Sequence, residues 1–303
     1  MDKGGPKDAT AILRKTDAME PVEAALDQLF LATWDQYNQR NRPEVVYHYT
    51  SAEGLCGILS TKQLFASDLF CLNDPSEFQY GKKVIVDALR TRSDRVSQAL
   101  VRNFEHEPLF PHVGKNWSLY SISFCGTKDL LGQWRGYGGT GGYAVGIKLS
   151  ALLKENGKRF ALHRMMYEEQ EQRNTIDGLV SKASELFEGH ANDQNKDYLL
   201  NEVGTRLVMS IFNLKHPSFR GEDEWRIVML ESFDNPDYPV QFRIAGARIV
   251  PYVKFHFDAD WIDQVVLGPT VAAHPNERAI RTRLVTGGFQ HGEVVLSRIP
   301  FRD

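Results

Sequence analysis

Two glutamates separated by a single residue are the strongest candidate for chemistry in this chain. Glu222 and Glu224 directly precede residues 225–230, an apolar run that predicts a β-strand. Alternation along a strand places both carboxylates on one face, where their repulsion raises the pKa of one of them. Such a pair can bind a ribose hydroxyl and stabilise a cationic sugar transition state. The same residues also fit an acidic turn exposed to solvent.

A histidine at the end of an earlier strand is the second candidate. Residues 45–49 predict a strand that ends in His48 and Tyr49. Thr50 and Glu53 form a capping box that begins the next helix. A strand end can hold an imidazole rigidly toward a ligand, although His48 also fits an ordinary half-buried position.

Small hydroxyls and an arginine lie in the middle of the chain. Residues 118–125 predict a strand on which Ser121 and Ser123 share one face and line the floor of a pocket. Arg135 can hold a phosphate or carboxylate through its planar guanidinium. The glycines at 138–142 predict a hairpin turn, because a strand rather than a helix follows them.

A basic and aromatic segment precedes the glutamate pair. Residues 215–221 predict an irregular, mobile loop that selects a target. In this interpretation Phe219 stacks on a ring, and the cations contact phosphates. The target-binding residues are expected to be Lys215, His216, Phe219 and Arg220.

The overall composition predicts one ordinary globular α+β domain. The 303 residues carry a net charge of −3, strands and helices mix without regular βαβ alternation, and no apolar run matches the roughly 18 residues of a membrane span. We predict a polar lead and one helix over residues 1–43. A single domain then follows over 44–303, with a helical insertion near 169–213. The three cysteines form no CxxC pair, so no metal site is expected, and the absence of a signal sequence predicts a cytoplasmic protein.

Seven short segments, taken in order, resemble a bacterial family of unknown function, DUF2971. The resemblance extends over about residues 44–303 and implies no activity by itself. The segments are YHYTS (47–51), LNDPSEF (72–78), SFCGTKDLLGQWRGYG (123–138), EDEWRIV (222–228), IVPYVKF (249–255), VVLGP (265–269) and SRIPFR (297–302).

A second, looser similarity is to the H-[S/Y]-E site pattern of ADP-ribosyltransferases. It implies an ADP-ribosyltransferase-like fold of mixed and antiparallel sheets, with NAD as substrate. His48 matches the first position, and Glu224 or Glu222 matches the third; both glutamates and His48 are the implied catalytic residues. The middle position stays open among Ser121, Ser123, Tyr137 and Tyr143. The residues expected to contact NAD are His48, Tyr49, Thr50, Ser121, Ser123, Arg135, Tyr137 and Tyr143.

This similarity also implies partners. Similar bacterial enzymes act as toxins or phage-defence effectors on nucleic acid or protein, and a neutralising antitoxin is a further expected partner. The cations of residues 215–221 slightly favour nucleic acid as the target.

Two other functions compete with the transferase. One is a non-catalytic module that binds a ligand or partner. The other is a metal-dependent nuclease, whose ligands would be Asp74, Glu77, Asp129 and Glu224.

Overall fold

The computed structural model describes residues 20–71, 75–106, 116–137, 141–156, 160–270, 273–290 and 292–300. Its helices are α1 (Glu20–Asn38), α2 (Ala52–Thr61), α3 (Pro75–Arg90), α4 (Arg95–His106), α5 (Leu131–Tyr137), α6 (Leu149–Glu155), α7 (Glu169–His190), α8 (Lys196–Ser210) and α9 (Ala273–Thr286). Its strands are β1 (Val45–Thr50), β2 (Gln63–Asp68), β3 (Trp117–Cys125), β4 (Tyr143–Lys148), β5 (Ala161–Arg164), β6 (Glu224–Ser232), β7 (Gln241–Ala245), β8 (Arg248–His256), β9 (Ile262–Leu267) and β10 (Glu293–Leu296).

The strands form one mixed sheet that branches at β3. The main order is β10-β9-β4-β1-β3-β2-β8-β7, and β6 also pairs with β3 over its whole length and carries β5 on its other side. Within the described residues β9 and β10 are parallel, and the other strand pairs are antiparallel. This arrangement of helices and a mixed sheet confirms the predicted α+β class.

One face of the sheet, the core face, is covered by α2, α6 and α9. Side chains of these helices pack on alternate residues of the central strands, such as Ile122 and Phe124 of β3 and Trp225 and Ile227 of β6. Alternation therefore directs Ser121, Ser123 and Cys125 of β3 to the opposite face, which we call the polar face.

A separate helical core lies beside the sheet. It is built from apolar side chains of α1, α3, α4, α7 and α8. The predicted insertion near 169–213 corresponds to α7 and α8, and α1 packs with them: Trp34 Nε1 of α1 donates a hydrogen bond to Ser210 Oγ at 3.2 Å. The helix of the N-terminal segment thus belongs to the same core as the insertion.

Some residues with predicted roles lie outside the described ranges. Asp74, Gly138, Gly139 and the lead at residues 1–19 lie outside the described residues. Among the helices that are described, none combines the length and the apolar character needed to cross a membrane.

Candidate functional site

Five charged side chains meet on the polar face, between the sheet and the helical core. They come from the first turn of α3, from the segment after α8 and from the start of β6, and we call this cluster the ionic centre. Its members are Glu77, Lys215, Glu222, Glu224 and Arg226.

Lys215 joins the three carboxylates of the centre. Its Nζ lies 2.6 Å from Glu222 Oε2, 2.6 Å from Glu224 Oε2 and 2.9 Å from Glu77 Oε1, and its side chain is 5% exposed. Burial alone would lower the pKa of Lys215, but the charges of Glu224 and Glu77 outweigh it and raise that pKa above its usual value. Lys215 is therefore a permanent cation.

Arg226 holds Glu224 from the other side. Its Nη2 donates to Glu224 Oε1 at 2.8 Å and to Glu77 Oε2 at 3.0 Å. Burial would raise the pKa of Glu224, but Arg226, Lys215 and the Ser123 hydroxyl lower it to about 2. The predicted effect of carboxylate repulsion is thus wrong for Glu224, because two buried cations determine its charge.

The backbone between the two glutamates departs from the predicted strand. Glu222 ends a 3-10 helix (Pro217–Glu222), and Asp223 adopts a left-handed conformation with φ 42° before β6 begins at Glu224. This turn, rather than strand alternation, brings both carboxylates to Lys215. A non-glycine residue in the left-handed region of backbone angles carries a conformational free-energy cost, so it persists only where surrounding contacts hold the backbone.

Gly126 supports the turn at Asp223. Its N–H donates to the Asp223 carbonyl at 2.7 Å, and a Cβ added at position 126 would lie 2.3 Å from Asp223 Oδ2. The glycine in the segment FCGTKD therefore permits the close approach of the Asp223 side chain.

We expect Gly126→Ala to lower the free energy of unfolding by about 1–3 kcal/mol, because the new methyl group forces Asp223 to move. Urea denaturation followed by circular dichroism measures the change. Gly132→Ala is the matched control: it lies in α5, a Cβ there meets nothing within 4 Å, and alanine favours a helix. Equal stability of the Gly126→Ala variant and the wild type would contradict the close approach.

The pH dependence of stability should report the ionised state of Glu224. Its folded pKa of about 2 lies below its ordinary value of 4.5, so its contribution is present above pH 4.5 and is lost as the pH falls toward 2. We expect a loss on the order of 3 kcal/mol from this group. Urea unfolding at several values between pH 6 and pH 2 measures it, with Glu185→Gln on the exposed face of α7 as a control that keeps the same dependence.

Two tyrosines and a serine surround the carboxylates. Tyr137, at the end of α5, is 54% exposed; burial of its phenol and the charge of Glu224 raise its pKa. The Glu224 N–H donates to the Tyr167 hydroxyl at 2.9 Å. Ser123 is exposed on β3, and its hydroxyl contacts Glu224. The structure therefore brings together Ser123, Tyr137 and both predicted glutamates.

His48 does not join them. Tyr47 pairs with Cys125, and Cys125 pairs with Glu224, so these three residues share the polar face. His48 is the next residue along β1 and points to the core face, where its ring contacts Phe124 edge-on with centroids 5.9 Å apart. Its Nδ1 lies 3.0 Å from the Ser123 carbonyl, and burial lowers its pKa. The assignment of His48 to the site of the glutamates is wrong for this reason of register.

Other residues expected to contact NAD have structural roles. Ser121 is buried and donates to the Ile227 carbonyl, Tyr143 lies in the core, and Tyr49 packs edge-on against Trp134. The cap of α2 is Ser51, whose hydroxyl accepts from Gly54 N–H, rather than the predicted Thr50. Arg135 is exposed on the last turn of α5.

The predicted target loop is a short helix with one buried end. Lys215 is in the ionic centre and cannot contact a target, because three carboxylates surround it. His216 caps the 3-10 helix by accepting from Ser218 N–H, and Phe219 lies with its ring centroid 5.3 Å from Lys215 Nζ. Arg220 is exposed and paired with Glu168. Only the outer residues of the segment are accessible.

The sequence does not predict that Glu77, Lys215 and Arg226 share one site. It predicts Glu77 as a ligand of the alternative metal site, Lys215 as a target-binding cation, and Arg226 as part of a strand. The apolar run before Lys215, which includes Ile211, Phe212 and Leu214, was the available signal that this lysine enters the protein. His163, opposite Arg226 on β5, is also buried here, and burial lowers its pKa to about 4.

Of the residues of the alternative metal site, the structure describes Glu77, Asp129 and Glu224, and these three are not arranged around a common point. Lys215 and Arg226 lie between Glu77 and Glu224, whereas Asp129 accepts hydrogen bonds from Trp134 Nε1 and Arg298 N. Within the described part of the chain, no group of three or more His, Cys, Asp or Glu side chains could hold a metal ion.

Comparison with known proteins identifies one family. No curated protein and no solved structure matches the chain. Residues 133–227, which include Lys215, Glu222, Glu224 and Arg226 of the ionic centre, match the model of a family described as "Protein of unknown function (DUF2971)". Over these residues, about a third of the chain, the match confirms the resemblance to the DUF2971 family.

Proposed function

We propose that the ionic centre catalyses NAD-dependent ADP-ribosyl transfer to a macromolecule. In this proposal Glu222 is the carboxylate that faces the substrate, and Glu224 positions it through Lys215. The proposal keeps the two glutamates of the transferase pattern and leaves His48 outside the reaction.

The observation that carries the proposal is the pair of carboxylates on one lysine. Their bound oxygens each lie 2.6 Å from Lys215 Nζ and are therefore at most twice that distance apart. The Glu222 side chain is 34% exposed, whereas that of Glu224 is 6% exposed. A substrate can thus reach Glu222, while the buried charges fix its orientation in advance.

The protonation states at the centre favour a leaving group that needs no proton. The pKa of Glu224 is lowered, and those of Lys215, Tyr137 and Tyr167 are raised, so each of these groups keeps its charge state near neutral pH. An ordinary glycoside requires a general acid, but the nicotinamide of NAD is already cationic and leaves as a neutral molecule.

The proposed step balances without a metal or a redox partner. The bond between ribose C1 and the nicotinamide nitrogen breaks, and its electron pair leaves with nicotinamide. Glu222 stabilises the positive charge on the ribose until a nucleophile of the target forms the new bond at C1 and releases its proton to solvent. Ser123 and Tyr137 lie beside the carboxylates, where they can contact the substrate.

The test is incubation of the purified full chain with NAD labelled on the adenylate. Free nicotinamide is measured by chromatography, and label is followed in protein, DNA and RNA fractions of a cell lysate. We expect nicotinamide release together with label in one fraction. Both classes of target are included, because the burial of Lys215 removes part of the charge that favoured nucleic acid.

A non-catalytic binding module is the second candidate. It is favoured because both carboxylate oxygens of Glu224 are already bonded within the protein. Glu224 bonds to both Lys215 and Arg226 and is almost fully buried, as expected of an ion pair that joins the sheet to the helical core. Calorimetric binding of NAD without nicotinamide release or label transfer would support this module and contradict the transferase.

A further inference from the structure

A cleft lies at the edge of the sheet, apart from the ionic centre. It has a volume of about 640 Å³, within the range of small-molecule sites, and it is bounded by the end of α1, by β5 and by the start of α7. None of the five residues of the ionic centre lines it. Tyr167 and Asp223 lie between the two regions: both line the cleft, and the Tyr167 hydroxyl contacts the backbone of Glu224.

Three guanidinium groups line this cleft. Arg164 is the fixed one: its side chain is 19% exposed, and its Cζ lies 5.9 Å from the ring centroid of Tyr37 and 5.7 Å from that of Trp225. It also donates to the Arg40 carbonyl. Because neighbouring groups already hold it, Arg164 loses little side-chain entropy when it binds an anion.

The other two arginines form ion pairs with glutamates, and a bound anion can take the place of each glutamate. Arg40 pairs with Glu171, and Arg220 pairs with Glu168, with the arginine of each pair more than half exposed. Exposed ion pairs contribute only about 0–1 kcal/mol, so exchange of a glutamate for a phosphate is inexpensive. Asp223 is 3.5 Å from Arg164, longer than a good hydrogen bond.

The charge balance favours a small ligand over a long polyanion. The lining holds three arginines and three carboxylates, and the chain as a whole has a net charge of −3. A nucleic-acid backbone would run past Glu168 and Glu171, whereas a single phosphorylated molecule can bind the guanidinium groups within the cleft.

We propose that this cleft binds a phosphorylated ligand of nucleotide size, with Arg164 as its central phosphate contact. The planar guanidinium can form two parallel hydrogen bonds to phosphate oxygens. Tyr37 and Tyr167 provide the aromatic walls for the rest of the molecule.

Isothermal titration of the full chain with inorganic pyrophosphate, ADP and adenosine tests this site. We expect pyrophosphate and ADP to bind and adenosine not to bind. Arg164→Gln should weaken both interactions at least tenfold, and Arg164→Lys should restore only part, because it keeps the charge and loses the two parallel bonds. Arg173→Gln, an exposed arginine of α7 paired with Glu169, should bind as the wild type does.

A second variant keeps the test valid if Arg164→Gln does not fold. Arg40 and Arg220 are exposed, so the double variant Arg40→Gln, Arg220→Gln should fold normally and still weaken ADP binding. Unchanged ADP affinity in this variant and in Arg164→Gln would overturn the site. Preference for a 20-nucleotide single strand over ADP, with a steep salt dependence, would instead overturn the nucleotide-sized ligand.

Discussion

Replacing Glu222 with glutamine is expected to reduce nicotinamide release and label transfer by a factor on the order of 10² or more. Glutamine keeps the shape of the side chain but removes the negative charge that stabilises the cationic ribose. Because the Glu222 side chain is partly exposed and Lys215 keeps two other carboxylates, the fold should be retained. Circular dichroism and the urea midpoint check the fold, and single-turnover assays with labelled NAD measure the rate.

Two further variants separate the role of Glu222 from that of its neighbours. Glu185→Gln, on the exposed face of α7, should keep full activity. Glu224→Gln should lose both activity and stability, because it leaves Lys215 and Arg226 with less negative charge in a buried site. Nicotinamide release by Glu222→Gln at the wild-type rate would refute the proposed catalytic role.

Replacing Lys215 with methionine is expected to lower the free energy of unfolding by about 3–5 kcal/mol. The change removes the cation shared by Glu77, Glu222 and Glu224, of which Glu224 is buried. Glu224 keeps Arg226 as a partner, but it loses one of its two cations and so retains the cost of desolvation with only part of the compensating attraction. Urea unfolding at pH 7 measures the loss.

Lys83→Met is the matched control for this variant. Lys83 is an exposed lysine of α3 with one ion-pair partner, Asp87, and its replacement should change stability by less than about 0.5 kcal/mol. Adding Glu224→Gln to Lys215→Met should recover part of the loss, since three carboxylates then share the single cation Arg226 and the second change removes one of these negative charges. Equal urea midpoints for the two lysine variants would show that the ionic centre does not stabilise the fold.

Local patterns predict the elements of this fold well. The strands predicted over residues 45–49, 118–125 and 225–230 form as β1, β3 and β6, because alternation and apolar runs are local properties of the sequence. The shared face of Ser121 and Ser123 also follows from alternation alone, although Ser121 is buried against the Ile227 carbonyl.

Local patterns do not predict strand register or contacts between residues far apart in the chain. The face of His48 relative to Glu224 depends on the pairing of Tyr47 with Cys125, which joins strands far apart in the chain. A register shift of one residue between β1 and β3 would place His48 on the polar face. Likewise, the sequence near Lys215 predicts a surface cation, because its partner Glu77 lies far away in the chain, on α3. The alternation of Glu222 and Glu224 predicts a strand, because the left-handed conformation of Asp223 between them is not evident from the sequence.

The composition of the ionic centre has a consequence for synthesis of the chain on the ribosome. Glu77 emerges early, but Arg226 follows 149 residues later, and Lys215 also comes after α8. The central strand β3 likewise waits for β6, its partner along its full length. Because contacts of long sequence separation form slowly, the ionic centre between the sheet and the helical core forms only after Lys215 and β6 have emerged. A nascent chain that ends before residue 215 holds Glu77 without either of its cations.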